Sequence, residues 1–166
     1  YRSDVVFIGG HYGYREKFFS GLTQDHVDFK IWGPRWDTSK DPSVLSKVVS
    51  SEGVFGLKKL KIAKASKIFI NLINGGNSVR CPDDKPIIYS GAEVFVLSNH
   101  KPDMDLVLET GKEIATFKNR DELKELIKFY LENEGERKKI ASRAKARVLR
   151  DHTSAVRFEK AIALLS

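Results

Sequence analysis

Two glycine-rich segments, each following a short apolar run, carry residue types that can hold an anion. Gly9-Gly10-His11-Tyr12-Gly13 is followed by Arg15, and Asn74-Gly75-Gly76-Asn77 is followed by Arg80. Glycine lets backbone N–H groups approach a phosphate with no side chain in the way, and flanking amides add donors. An arginine one turn into the next helix can meet a diphosphate with two parallel N–H bonds. The same stretches also suit ordinary strand-to-helix turns, and Arg15 also suits an exposed surface position. Local sequence leaves these alternatives open.

The elements that must position these residues alternate between two periods. Asp4 to Gly9 is a nearly continuous apolar run, as expected of a strand covered on both faces. Phe18, Phe19 and Leu22 then recur at helical spacing within Tyr14 to Leu22. Val27 to Trp32 reads as a second strand, stopped by Gly33-Pro34. Arg35 to Gly53 is polar and irregular apart from Val44, Leu45, Val48 and Val49. Leu57 to Ala65 reads as a helix leading into the strand Ile68 to Leu72.

Beyond Arg80 the pattern loosens and then recovers. Pro82 and Pro86 oppose a long helix starting at Asn77, leaving one short turn at Ile87 to Ser90. Glu93 to Leu97 and Glu113 to Phe117 read as strands. Between them Asp103 to Leu108 reads as a short helix, with Asp103 at its N-terminus. Leu123, Leu126, Ile127, Tyr130 and Leu131 stripe one helix. Ile140, Ala141, Ala144, Val148 and Leu149 stripe a second, and Ala155, Phe158, Ile162 and Leu165 a third. Strands alternating with helices predict an α/β fold, a Rossmann-like parallel sheet flanked by helices and ending in a helical tail.

Several chemistries are excluded or disfavoured. Gly9-Gly10-x-x-Gly13 departs from the dinucleotide fingerprint, and Trp32-Gly33-Pro34 stands where an acidic residue should close the second strand. No Gly-Lys-Ser/Thr follows a strand, so there is no P-loop. Asn71 occupies the place where a receiver domain would carry aspartate. His11, His26, His100 and His152 make no zinc-like spacing, and no metal is expected. Trp32 and Trp36 at a strand end favour the core over stacking on a base.

With 166 residues, 41% hydrophobic and 31% charged, the sequence fits one globular domain spanning residues 1–166. No run approaches the roughly 20 apolar residues of a membrane span, and no signal peptide is evident. The single cysteine, Cys81, allows no internal disulfide and fits a reducing, cytoplasmic setting. A net charge of +7 favours anionic partners. Much of it lies between Glu136 and Arg150, where it reads as a solvated helix face. That run lacks the interleaved aromatics of single-strand binders, so nucleic acid is not the expected partner. The start at Tyr1 and a lone methionine, Met104, suggest a piece of a longer chain.

The tail carries a family likeness. Leu108 to Ile114, Asp121-Glu122-Leu123, Tyr130-Leu131, Arg137, Ile140-Ala141, Arg147-Val148-Leu149, His152-Thr153 and Arg157 resemble the ending of group 1 glycosyltransferases of the two-domain GT-B fold. The spore-maturation-protein type is the nearest form. Asp4 to Gly9, Arg15, Trp32-Gly33-Pro34, Gly56, Ala65 to Ile68 and Asn71 fall in that family's order. The resemblance implies one half of a GT-B fold, transferring a sugar from a nucleotide-diphosphate sugar without a further cofactor. Its donor-side residues would be Gly9, Gly10, His11 and Arg15 at the diphosphate and Gly33 near the base. Asn74, Gly75, Gly76, Asn77 and Arg80 would face the sugar and phosphates.

The same resemblance implies an N-terminal half that binds a glycan, lipid or protein acceptor, with the protein cytoplasmic or peripheral at a membrane. It assigns no catalytic residue here. The family places an acidic residue in a helix between the Arg80 position and Gly91, where this chain has Cys81 to Ser90. Asp84 is the nearest substitute. A degenerate, non-catalytic binding module of the same fold is the alternative.

Overall fold

The computed structural model describes residues 1–23, 26–73 and 79–164. Six strands form one parallel sheet: β1 (Ser3–Ile8), β2 (Phe29–Trp32), β3 (Val48–Ser50), β4 (Ser66–Asn71), β5 (Val96–Asn99) and β6 (Ala115–Phe117), in the order β3-β2-β1-β4-β5-β6. Seven α-helices among the described residues flank it: α1 (Gly13–Phe19), α2 (Pro42–Leu45), α3 (Leu57–Lys64), α4 (Lys85–Gly91), α5 (Arg120–Glu132), α6 (Glu134–Asp151) and α7 (Ser154–Ala163). The fold is α/β and Rossmann-like.

Alternation along the strands divides the core into two layers. Val5, Phe7, Ile31, Ile68, Ile70 and Leu97 pack with Phe19 of α1 and with Leu123 and Ile127 of α5. On the other face Val6, Ile8, Phe69 and Val96 pack with Ile62 of α3 and Tyr89 of α4. Each such fully buried aliphatic or aromatic side chain stabilises the fold by about 1.5–3 kcal/mol. α6 serves both layers, with Ile140 and Ala141 on one side and Ala144 and Val148 on the other. Arg137, buried in α6, donates to the carbonyls of Tyr130 and Leu131 and so caps the end of α5.

The structure departs from the sequence reading in five places. Val48–Ser50 is a strand, paired with β2 at the sheet edge, where the polar context hid it. α4 runs from Lys85 to Gly91 because Pro86 lies in the first turn, where its missing N–H disrupts nothing. Met104–Leu106 is a single 3-10 turn, and Asp103 pairs with Arg80 instead of capping it. Leu149 is exposed. α7 buries none of its described residues, so Phe158 and Ile162 stand in the open; Leu165 lies outside the described residues.

Candidate functional site at the carboxyl ends of the strands

Connections from β1 and from β4 leave the sheet in opposite directions, because β1 is followed by β2 on one side while β4 lies on the other. In open α/β sheets ligands bind in the crevice at this switch point. Arg15 lies there. Its Nη1 donates to the Gly10 carbonyl at 2.7 Å and its Nη2 to the Leu72 carbonyl at 3.3 Å, joining the loop after β1 to the end of β4. It is only 7% exposed. The guanidinium lies about 5.1 Å from the ring centres of Phe7 and Tyr12. Its Nε is buried and has no partner among the described residues. Arg15 is thus buried at the strand ends and is not an exposed surface arginine.

The loop after β1 is held from below by the loop after β2. Gly9 N donates to the Trp32 carbonyl at 2.8 Å, and His11 N donates to that of Pro34 at 2.9 Å. The Trp36 indole N–H donates to the Gly9 carbonyl at 2.7 Å, while its ring is fully buried. Trp32 is buried as well, so both indoles belong to the core. Gly33 has φ +141°, and a Cβ built on it would stand 2.3 Å from the Gly9 oxygen. Only glycine allows this approach. A Cβ on Gly9 would itself meet the Phe7 ring at 2.8 Å and an Arg15 Nη at 3.2 Å.

His11 is placed in this loop, with both ring nitrogens engaged. Nε2 is 2.7 Å from Glu16 Oε2, and Nδ1 is 3.3 Å from Thr38 Oγ1. The hydrogen bond from His11 holds the Glu16 carboxyl below the usual carboxylate range. His11 therefore acts as a strut that fixes the loop.

A second group of polar side chains gathers at the ends of β4 and β5. Asn71, with no exposed surface, donates from Nδ2 to Asp83 Oδ1 at 3.0 Å and to Ser98 Oγ at 3.2 Å. Its Oδ1 has no partner among the described residues. Asn99 Oδ1 accepts from Ile73 N at 2.7 Å, fixing the chain as it leaves β4. Lys85 Nζ stands 3.6 Å from Asp83 Oδ2. Burial holds the Lys85 ammonium below the ordinary lysine range, with Arg15 pushing the same way and Asp83 and Asp84 pulling back. The Tyr89 hydroxyl, on the same helix, is pushed up to about 12 by burial, then by Asp84 and Asp83.

The structure therefore gathers Gly9, Gly10 and Arg15, with Gly33 beneath them. Arg80 is exposed and paired with Asp103, at 2.8 Å and 3.3 Å. Asp84 is exposed at the start of α4, which itself carries no carboxylate. Asn74, Gly75, Gly76 and Asn77 lie outside the described residues. Sequence reasoning missed Asp83, Lys85, Ser98 and Asn99. The available signal was a polar residue ending each buried strand, Asn71 after Ile68 to Ile70 and Ser98-Asn99 after Val94 to Leu97. Chemically, the site joins cationic donors to acceptors: Arg15 and Lys85 suit phosphate oxygens, while the unpartnered Asn71 Oδ1 and the Asp83 carboxylate, already accepting from Asn71, suit hydroxyl groups.

No cluster of histidine, cysteine and carboxylates among the described residues could hold a metal ion, and no described helix is long and apolar enough to cross a membrane.

A six-stranded parallel sheet flanked by helices in this order matches the fold of one half of a GT-B glycosyltransferase. The chain belongs to the glycosyl transferase-like family, whose model matches residues 15–163. Among solved structures it is similar in fold to TarM, with a TM-score of 0.73 at 13% identity, over 99% of this chain and 35% of TarM. A glycosyltransferase from Rickettsia africae gives 0.71 at 12% identity, over 99% of this chain and 47% of that one. The C-terminal domain of a glycosyl transferase group 1 family protein (LpcC) from Francisella tularensis gives 0.64 at 13% identity, over 90% and 86% of the two chains. The chain thus spans only about a third to a half of the first two. A further structure, of an S. aureus TarM mutant, is a complex with fondaparinux, alpha-GlcNAc-glycerol and UDP. No curated protein matches the sequence.

Proposed function

We propose that this chain is the donor-binding half of a glycosyltransferase, holding a nucleotide-diphosphate sugar in the crevice between β1 and β4. The observation that carries this reading is Arg15, a buried guanidinium bridging the two strand ends with its Nε unused. A cation sequestered without a carboxylate partner is costly unless an anion completes it. The adjoining acceptors at Asn71 and Asp83 favour a ligand bearing hydroxyls as well as phosphate. The UDP present in the TarM complex supports the same ligand class. Acceptor binding, whether of glycan, lipid or protein, belongs to a second half, as does any catalytic base. The finer likeness to the spore-maturation-protein type and a cytoplasmic or membrane-peripheral location are part of this proposal.

In the reaction, positive charge beside the diphosphate stabilises the leaving nucleoside diphosphate as its charge develops. The test is calorimetric titration with UDP, GDP and their sugars. Saturable binding by the wild type and a loss of about 10- to 100-fold in Arg15→Met are expected for one charge-assisted contact. Wild-type protein that binds no nucleotide at millimolar concentration would refute the reading.

The absence of a carboxylate from α4 favours one second reading, a binding module without transferase activity. The two separate on release of nucleoside diphosphate from bound donor by the complete polypeptide: release supports the transferase, and binding without release supports the module.

A further inference from the structure

Arg15 and Lys85 belong to elements far apart in sequence, yet a chain of contacts joins them. Arg15 bonds the carbonyl of Leu72; its neighbour Asn71 bonds Asp83; Asp83 faces Lys85. Each cation is only partly used. Arg15 has its unpartnered Nε, and Lys85 Nζ is 3.6 Å from Asp83 Oδ2, well beyond the 2.7–2.9 Å of a full charge-assisted bond. Asp83 is also shared, because its other oxygen accepts from Asn71. Among the described residues this long contact is the one ion pair of Lys85, so its ammonium group can take another acceptor. The residue after Lys85 is Pro86, which has no N–H to offer. The positive charge on this part of the wall is that of the Lys85 side chain.

We infer that Lys85 is the second cation of the diphosphate site, gripping phosphate oxygens together with Arg15 across the crevice between β1 and β4. For its ligand class the inference rests on the donor-binding reading above; the residue and its role are additional. Without a ligand, burial disfavours the Lys85 charge most, and Arg15 adds repulsion. An anion between them removes both penalties. The charged groups facing Lys85 are Asp83 and Asp84 in its own segment and Arg15 from α1. Ligand binding raises the Lys85 pKa, so affinity falls as pH rises through its depressed value, earlier than for an ordinary lysine.

The experiment is calorimetric titration of UDP and of inorganic pyrophosphate between neutral pH and about pH 10, spanning the ordinary lysine range. Wild type, Lys85→Met, Lys85→Arg, Arg15→Met and the surface control Lys138→Met are compared. Lys85→Met should weaken UDP and pyrophosphate about 10- to 100-fold. Lys85→Arg should keep neutral-pH affinity within about threefold and lose the alkaline decline, because arginine does not titrate there. Titration of the ligand itself cancels in that comparison. Lys138→Met should match the wild type.

Wild-type affinity in Lys85→Met, with binding lost in Arg15→Met, would overturn the role of Lys85 and leave the donor reading standing. Absence of binding by the wild type would overturn both. Should Lys85→Met fail to fold, Lys85→Arg decides: an unchanged alkaline decline overturns the inference.

Discussion

Replacing Gly33 by alanine tests whether the glycine-rich loop after β1 is held in place by its contact with the loop after β2. The added methyl would stand 2.3 Å from the Gly9 oxygen and 2.6 Å from the Gly9 carbonyl carbon. Gly9 cannot easily withdraw. Its N–H is bonded to the Trp32 carbonyl at 2.8 Å, and its own carbonyl accepts from the Trp36 indole at 2.7 Å. The φ of +141° adds strain that a side chain does not tolerate. Overpacking and backbone strain each cost about 1–3 kcal/mol, together about 2–6 kcal/mol. For a domain of this size the melting temperature should fall by roughly 5–20 °C. Urea unfolding gives the free energy, and UDP titration at low temperature gives the state of the site. Gly10→Ala is the matched control, since its Cβ would meet only Pro34, at 3.4 Å or more. It should cost under about 1 kcal/mol. Gly33→Ala as stable as Gly10→Ala, with UDP affinity unchanged, would refute the reasoning.

Two further perturbations probe the frame around the site. Arg137→Met removes the buried guanidinium that caps α5, leaving the Tyr130 and Leu131 carbonyls without it. Unfolding free energy should drop by about 2–4 kcal/mol with nucleotide affinity unchanged; a drop under 1 kcal/mol would remove it from the frame. Glu16 has a folded pKa depressed by its bond from His11. Its contribution to stability is therefore present above the unfolded carboxylate value, about 4.3, and is lost as pH falls through the lower folded value. Glu16→Gln should flatten that acid limb in chemical unfolding below pH 5, and an unaltered limb would show that the His11–Glu16 pair does not fasten the loop.

The main layers of the fold were legible because their signals are local. β1, β2 and β4 are apolar runs that must be covered on both faces, and the α5 stripe has one spacing consistent with a helix. β3 was not legible: it is a three-residue edge strand whose partners in β2, Ile31 for Val48 and Trp32 for Ser50, are distant in sequence, and its own residues are half-exposed. α7 shows the opposite failure. Its spacing is that of a buried helix, but burial requires a partner surface, and a stripe does not say where that surface is. At the site, Gly9, Gly10 and Arg15 could be read because a strand end followed by glycine is a local pattern. Asp83 and Lys85 could not, because their place is set by Asn71 and by the register that brings β4 and β5 side by side.

That difference bears on how far the crevice departs from the resemblance that first suggested it. The expected acidic helix residue between Arg80 and Gly91 is missing, and α4 presents the exposed Ile88 and the buried Tyr89 instead. The carboxylate has not left the neighbourhood, however. Asp83 precedes the helix, and Asn71, a fully buried residue at the end of β4, fixes its position. A carboxylate fixed by a core amide on a rigid strand is better oriented than an exposed one such as Asp84. The same segment adds Lys85, whose burial is unfavourable for a charge that has no ligand. Arg15 Nε and Asn71 Oδ1, both buried and without a partner among the described residues at the switch point, form the arrangement expected where a polar ligand completes the structure.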